Sequence, residues 1–213
     1  MDNKIICLLC CCLYPKNNNS TNNNDERIEQ YVEGLSKFFE FVKDGYTNID
    51  FYIIDNSITN NKRVPDNILK ILPNNIKIIE HSNNIYGAIN KGGGLIENWL
   101  YAKEVLKKYD WLIHFEPRQH LKSFDFIDNF LKNPRNLFTI GKERNHFNTG
   151  LFCIKINDLE KYLSIVNLNH MIQKSISIEY MIYDFFVSKN IKYDTLDKMD
   201  LIWFPVNHTP IHH

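Results

Sequence analysis

Asn90-Lys91-Gly92-Gly93-Gly94 puts a cation and three residues without side chains directly before a helical pattern carried by Ile96, Trp99, Leu100, Lys103 and Leu106. Unpaired N–H groups at a helix start, helped by the helix dipole, favour an anion such as a pyrophosphate. The segment is not a Walker loop, and no G-x-G-x-x-G follows the first apolar run, so neither a P-loop nor a dinucleotide fingerprint is present. The bland alternative is a helix lead-in that needs glycine backbones. Three other polar clusters also end apolar runs: Asp55-Asn56-Ser57, Glu116-Pro117-Arg118-Gln119-His120 and Asn148-Thr149-Gly150.

The elements behind these clusters follow from periodicity. Ile5 to Tyr14 reads as a buried first strand, and the Asn/Ser/Thr tract at 17–24 as a polar loop. Ile28, Tyr31, Val32, Leu35, Phe38, Phe39 and Val42 recur at helical spacing between Glu26 and Asp44. Strands are expected at Ile49 to Asp55, Ile76 to Glu80, Trp111 to Phe115 (buried on both faces except at His114), Phe138 to Ile140 and Gly150 to Ile156. Short helical pieces are expected around Asp66 to Leu72, at Asp158 to Val166 and at Ser177 to Ser188. Strands and helices alternate, which predicts one α/β domain over residues 1–213, a three-layer α/β/α sandwich with a mostly parallel sheet. Ligands of open α/β sheets bind beyond the carboxyl ends of the strands, where the four clusters fall.

Taken in this order, the pieces resemble the nucleotide-sugar-dependent glycosyltransferases of the GT-A fold. There a second strand ends like Tyr52-Ile53-Ile54-Asp55-Asn56-Ser57, an Asn/Gly segment like Asn83 to Gly94 follows, and an apolar strand then ends in an acidic motif. A later strand is like Phe147-Asn148-Thr149-Gly150-Leu151-Phe152. The likeness runs from about Lys4 to Phe186 and rests on the ordered set, because no single motif in it is specific. It implies transfer of a sugar from a nucleoside diphosphate donor, UDP-linked by preference, to a hydroxyl of a glycan or other acceptor.

The resemblance also implies roles. Asp55 and Asn56 would meet the nucleoside, with Asn83 nearby; Tyr14, at the end of the first strand, is a candidate to stack on the base, with core or rim packing its plainer reading. Lys91, Gly92, Gly93 and Arg118 would meet the pyrophosphate. Gln119, Asn148 and Thr149 would contact sugar or acceptor, and Glu179, at the start of a late helix, would be the base of an inverting transfer. A plain capping role for Glu179 stands on an equal footing with the catalytic one. One departure stands out. Where the superfamily carries Asp-x-Asp, this chain has His114-Phe115-Glu116-Pro117-Arg118. Either a divalent cation, Mn²⁺ or Mg²⁺, sits on Glu116 with a distant ligand such as His208, or Arg118 and Lys91 neutralise the phosphates themselves. Rival readings are a sugar-nucleotide nucleotidyltransferase and a degenerate module that binds a glycan or partner without turnover.

Composition sets outer bounds. The 25 Lys+Arg balance 25 Asp+Glu, which argues against a nucleic-acid partner held by its phosphate backbone. Four of the five cysteines crowd one apolar run, so a disulfide framework is not expected and a reducing compartment is: the cytoplasm, or that of a host cell if the chain is virus-encoded. Cys7-x-x-Cys10 has a metal or redox spacing, but no second Cys/His pair lies at zinc-finger spacing from it. The first apolar run is too short to span a membrane, and no small-residue cleavage site follows it. The asparagine excess matches an AT-rich protist or large DNA virus genome.

Overall fold

The computed structural model describes residues 3–15, 24–42, 45–59, 61–141, 143–199, 201–203 and 211–212. In chain order the first half contains β1 (Ile5–Cys11), α1 (Asn24–Val42), β2 (Ile49–Asp55), α2 (Asp66–Leu69), β3 (Lys77–Glu80), α3 (Lys91–Tyr101), α4 (Lys103–Leu106) and β4 (Trp111–Phe115). The second half contains β5 (His120–Leu121), α5 (Asp125–Lys132), β6 (Leu137–Ile140), β7 (Phe147–Lys155), α6 (Ile156–Ile165), α7 (Leu168–Gln173), α8 (Ile178–Ser188), β8 (Asp194–Leu196), β9 (Leu201–Trp203) and β10 (Ile211–His212).

Strand β1 explains the layering. All seven of its residues are buried, and successive side chains of a strand point to opposite faces. Ile5, Cys7, Leu9 and Cys11 pack with Leu35 and Phe38 of α1 and Phe126 and Phe130 of α5. Ile6, Leu8 and Cys10 pack on the other face with Ile96 and Trp99 of α3 and Ile182 and Phe186 of α8. A strand apolar on both faces needs helices on both sides, and the result is a seven-stranded sheet of order β3-β2-β1-β4-β7-β6-β8 between helical layers. The free cysteines of β1 are part of this packing: burial raises the thiols of Cys7, Cys10 and Cys11 well above their ordinary range, so they act as small apolar residues.

Strands β3, β2, β1 and β4 are mutually parallel, whereas β7 is antiparallel to both β4 and β6. The sheet is thus mostly parallel, as the alternation implied. Four details correct the sequence reading. Asn148-Thr149-Gly150 lies inside β7 rather than between two short strands, and His114 is fully buried. The glycines 92–94 form the first turn of α3 rather than a loop before it. Helices α5 and α7 and a second sheet of order β10-β9-β5 went unread.

Helix α1 closes over the carboxyl end of β4 through Gly34. A Cβ at this position would fall inside van der Waals distance of the Pro117 carbonyl oxygen and 3.2 Å from that of Gln119, so backbone meets backbone there. Alanine is the better helix former by about 1 kcal/mol, yet overpacking of this kind costs roughly 1–3 kcal/mol or more. Gly34→Ala is expected to lower the urea-unfolding free energy by about 2 kcal/mol; a gain in stability would show that α1 does not bear on the 116–119 turn.

Candidate functional site

The carboxyl ends of β1, β2 and β4 open onto one side of the sheet. Because β7 runs the other way, its first residues arrive at the same side: Phe115 pairs with Leu151, and the Glu116 N–H donates to the Gly150 carbonyl at 2.9 Å. Two adjoining clefts of roughly 320 and 210 Å³ lie there. Lys91, Glu116, Thr149, Ser177 and Glu179 line both. Gln119, Asn148, His146 and Tyr180 line the larger one.

Six residues named from sequence therefore meet in one place: Lys91, Glu116, Gln119, Asn148, Thr149 and Glu179. Lys91 Nζ stands 2.7 Å from Glu116 Oε2, with the lysine largely exposed and the glutamate buried. Burial pushes the Glu116 carboxyl upward, but the Lys91 ammonium, with His114 and Arg118, outweighs that and holds it below its ordinary value. Across the cleft, the Thr149 hydroxyl donates to Glu179 Oε1 at 2.9 Å, fixing a carboxylate in the first turn of α8. The Ser177 side chain makes no capping bond, so Glu179 is held by a strand residue and not by a capping box. Asn148 is turned by its own bond to Thr139 Oγ1 at 2.9 Å. Gly150 leaves room for Gln119, whose amide occupies the space that a Cβ would take.

Other expected residues sit elsewhere. Asp55 is fully buried, and its oxygens accept from Leu13 N at 2.8 Å, Ser57 N at 2.7 Å and Ser57 Oγ at 2.6 Å. It ties the ends of β1 and β2 together and has no oxygen turned to solvent for a nucleoside. Asn56 is buried as well and donates to the Gly94 carbonyl at 3.0 Å. Asn83 is exposed; its neighbour Asn84 is the buried one, with its amide 3.8 Å from Cys12 Sγ. Gly92 N and Gly93 N donate to Asn90 Oδ1 at 2.9 and 3.4 Å, so the first turn of α3 is capped from within. Its glycines serve close approach: a Cβ on Gly92 would lie 2.7 Å from Met171 Cε and 2.8 Å from Ile178 Cβ, and one on Gly93 2.9 Å from Tyr86 Cβ. Gly92 borders the smaller cleft and Gly93 does not. Tyr14 packs at the rim, with Lys62 Nζ 4.5 Å from its ring centroid. His120 is buried against Lys37 and Glu33 of α1. His208 lies outside the described residues.

Sequence reasoning missed three contributors. Arg27 occupies the buried face of α1, four residues before Tyr31, where an apolar residue is the norm. Glu97 accepts the N–H groups of Ile85, Tyr86 and Gly87 at 2.8, 3.1 and 3.0 Å and so shapes the loop before α3. His146 lines the larger cleft with its ring 4.9 Å from that of Tyr180.

The described residues of the cleft do not by themselves suit a resident divalent cation. A hard cation takes several oxygen ligands. Here Glu116 already pairs with Lys91, position 118 is an arginine, and His114 turns into the core, its Nδ1 3.5 Å from Cys10 Sγ and its ring stacked on Phe152. Among the described residues no three His, Cys, Asp or Glu side chains come close enough to hold a metal ion.

No protein-family model matches the chain, and no curated protein matches it in sequence. Solved structures do match in fold. A protein of Desulfovibrio desulfuricans G20 described as a nucleotide-diphospho-sugar transferase superposes with a TM-score of 0.59 at 9% identity, over 92% of this chain and 80% of that one. A cytidylyltransferase of Leptospira borgpetersenii superposes with a TM-score of 0.55 at 16% identity, over 93% and 78%. The fold is accordingly GT-A-like. Among the described residues no helix is long and apolar enough to cross a membrane.

Buried His114 beneath this cleft has a measurable signature. Burial lowers its pKa from 6.5 to about 4, with Glu116 opposing and Lys91 assisting. The unfolded chain therefore takes up a proton below pH 6.5 that the folded chain refuses until about pH 4, and stability falls as pH drops through that window. Between pH 7 and pH 5 this one group accounts for about 2 kcal/mol, to which His81 and His120, also lowered by burial, add. In His114→Phe, urea unfolding at the two pH values is expected to show a decline smaller by about that amount; an unchanged decline would place the titration elsewhere.

Proposed function

We propose that the protein is a glycosyltransferase that moves a sugar from a nucleoside diphosphate donor, UDP-linked by preference, to a hydroxyl of a glycan or other acceptor. One observation carries the reading: on a GT-A-like sheet, the cleft beyond the carboxyl ends of the parallel strands faces the Thr149-anchored Glu179 carboxylate towards the Lys91–Glu116 ion pair. A base and a cation within one cleft are what displacement of a phosphate leaving group requires.

Placement supports the roles in this reading. The nucleoside lies near the ends of β1 and β2, whose turns Asp55 holds, and the pyrophosphate lies towards Lys91 and Arg118. Gln119 and Asn148 offer amides to sugar hydroxyls. Ring faces such as those of His146 and Tyr180 suit the apolar side of a sugar. Glu179 takes the acceptor hydroxyl proton as the oxygen forms its bond to the anomeric carbon. The bond from that carbon to the phosphate oxygen breaks, and its electron pair leaves on the nucleoside diphosphate, where the cations stabilise it. Glu116 keeps Lys91 at the cleft.

The test is release of nucleoside diphosphate from a panel of UDP-, GDP- and dTDP-sugars, with and without simple glycoside acceptors. Wild-type protein is expected to turn over at least one donor. Glu179→Gln is expected to lower kcat roughly 10²- to 10⁴-fold while nucleoside diphosphate binding stays within a factor of about two, as for a group that acts on the acceptor proton. Full activity in Glu179→Gln would remove the inverting mechanism written here, and silence across the panel would sink the proposal. The likeness to a cytidylyltransferase supports a second reading. In that case nucleoside triphosphate and a sugar phosphate would yield pyrophosphate, and no nucleoside diphosphate would be released.

A further inference from the structure

Two guanidinium groups are buried beside the turns that follow β1 and β4, outside the lining of the two clefts, and Glu116 is the carboxylate whose charge reaches both. Arg27 is 8% exposed and Arg118 3%. Among the described residues neither forms an ion pair with a carboxylate; the acid nearest in function, Glu116, is taken by Lys91. Arg27 comes from the first turns of α1. Its Nε donates to the Cys12 carbonyl at 2.6 Å, and its guanidinium lies 5.7 Å from the centroid of the Tyr31 ring, whose hydroxyl accepts the Cys12 N–H at 2.9 Å. Arg118 comes from the turn after β4, and its Nη1 donates to the neutral Gln30 amide at 3.2 Å. Gly34 lets α1 close on that turn and so brings the helix that carries Arg27 and Gln30 to Arg118.

Each guanidinium carries five N–H donors in a planar fork that fits phosphate oxygens. Among the described residues Arg27 engages the carbonyl and the thiol of Cys12 and Arg118 engages the Gln30 amide, so most of each fork is left over. Buried cations are costly unless paired, and two of like sign side by side are more so. Burial pulls Arg118 below its ordinary value, with Tyr31 and Glu116 opposing and the charge of Arg27 adding to the lowering, whereas Tyr31, Cys12, Glu116 and Asp55 hold Arg27 above its ordinary value against the same cost of burial. An anion placed between them relieves both costs. The donor pyrophosphate carries one negative charge on each phosphorus, and the leaving nucleoside diphosphate carries more.

We propose that Arg27 and Arg118, with Lys91 at the mouth of the cleft, form a metal-independent site for the pyrophosphate of the donor, doing the work that a divalent cation would otherwise do. This rests on the nucleotide-sugar reading of the cleft. It adds Arg27, which no motif marks, and it assigns the missing second acid of the motif to a guanidinium.

Isothermal titration of the wild-type protein with UDP, GDP, CDP, dTDP and inorganic pyrophosphate in EDTA, and of the nucleotides again with Mn²⁺, tests it without any variant. Binding in EDTA is expected, with a dissociation constant within about threefold of that in Mn²⁺ for the preferred nucleotide. Arg27→Gln and Arg118→Gln are each expected to weaken pyrophosphate binding roughly 10- to 100-fold, with Arg27→Lys, which keeps the charge but loses the fork, falling between. Nucleotide binding that needs Mn²⁺, or glutamine variants that fold and bind as wild type does, would overturn the arginine site while leaving the donor reading in place. Pyrophosphate binding in EDTA with no affinity for any of the nucleotides would keep the anion site and sink the donor reading. No binding of either would end both.

Discussion

Because β7 runs against β4, the residue that follows β4 and the residues that begin β7 are forced onto the same edge of the sheet. The single N–H bond from Glu116 to the Gly150 carbonyl expresses this reversal, and the cleft depends on it. Thr149 is thereby set beside Glu116 and faces α8, where it holds Glu179. A parallel β7 would deliver its first residues to the opposite end, and no carboxylate would face the Lys91 pair. The reversal is a local instance of the rule that open α/β sheets place ligands where strand order or direction changes.

Charge is distributed around this edge in a way the net balance conceals. The chain is neutral overall, yet the site gathers Lys91, Arg27 and Arg118 around one buried carboxylate. Fields in a cleft with low-dielectric walls are set by such local groups, not by the sum over the surface. The remaining polar burial is spent on shape. Asp55 satisfies three donors at the ends of β1 and β2, and Glu97 satisfies three more in the loop before α3, so the walls are held by carboxylates that have no oxygens left for a ligand. Strand ends in α/β proteins need such partners because their backbone groups leave the ladder while still buried.

The legible parts of the fold were those with a single physical reading. β1, β2 and β4 are buried on both faces and read as continuous apolar runs, and α1 shows its stripe plainly. Asn148-Thr149-Gly150 reads as a turn by composition. It stands in a strand because each residue finds a cross-strand reason to be there: a bond to Thr139, a bond to Glu179, and space for Gln119. The glycines 92–94 share the composition of a phosphate cradle. Composition reports only a missing Cβ, and here its absence serves contact with Met171, Ile178 and Tyr86. Of the site itself, Lys91, Glu116 and Glu179 were legible because polar residues at strand ends and helix starts stand out against apolar runs. Arg27 was not, since an arginine on a helix ordinarily carries its charge out to water, and this one turns instead to the Cys12 carbonyl after β1.

On the proposed reading, the phosphates of a nucleoside diphosphate rest at the carboxyl ends of β1 and β4, between α1 and the start of α3. A crystal structure of the protein grown with UDP in the presence of EDTA tests this most directly. Both phosphorus atoms are expected within about 4–5 Å of the Arg27 and Arg118 guanidinium carbons, at charge-assisted hydrogen-bond geometry, with no metal between them. UDP phosphates seated away from both arginines, or at the opposite end of the sheet, would contradict it.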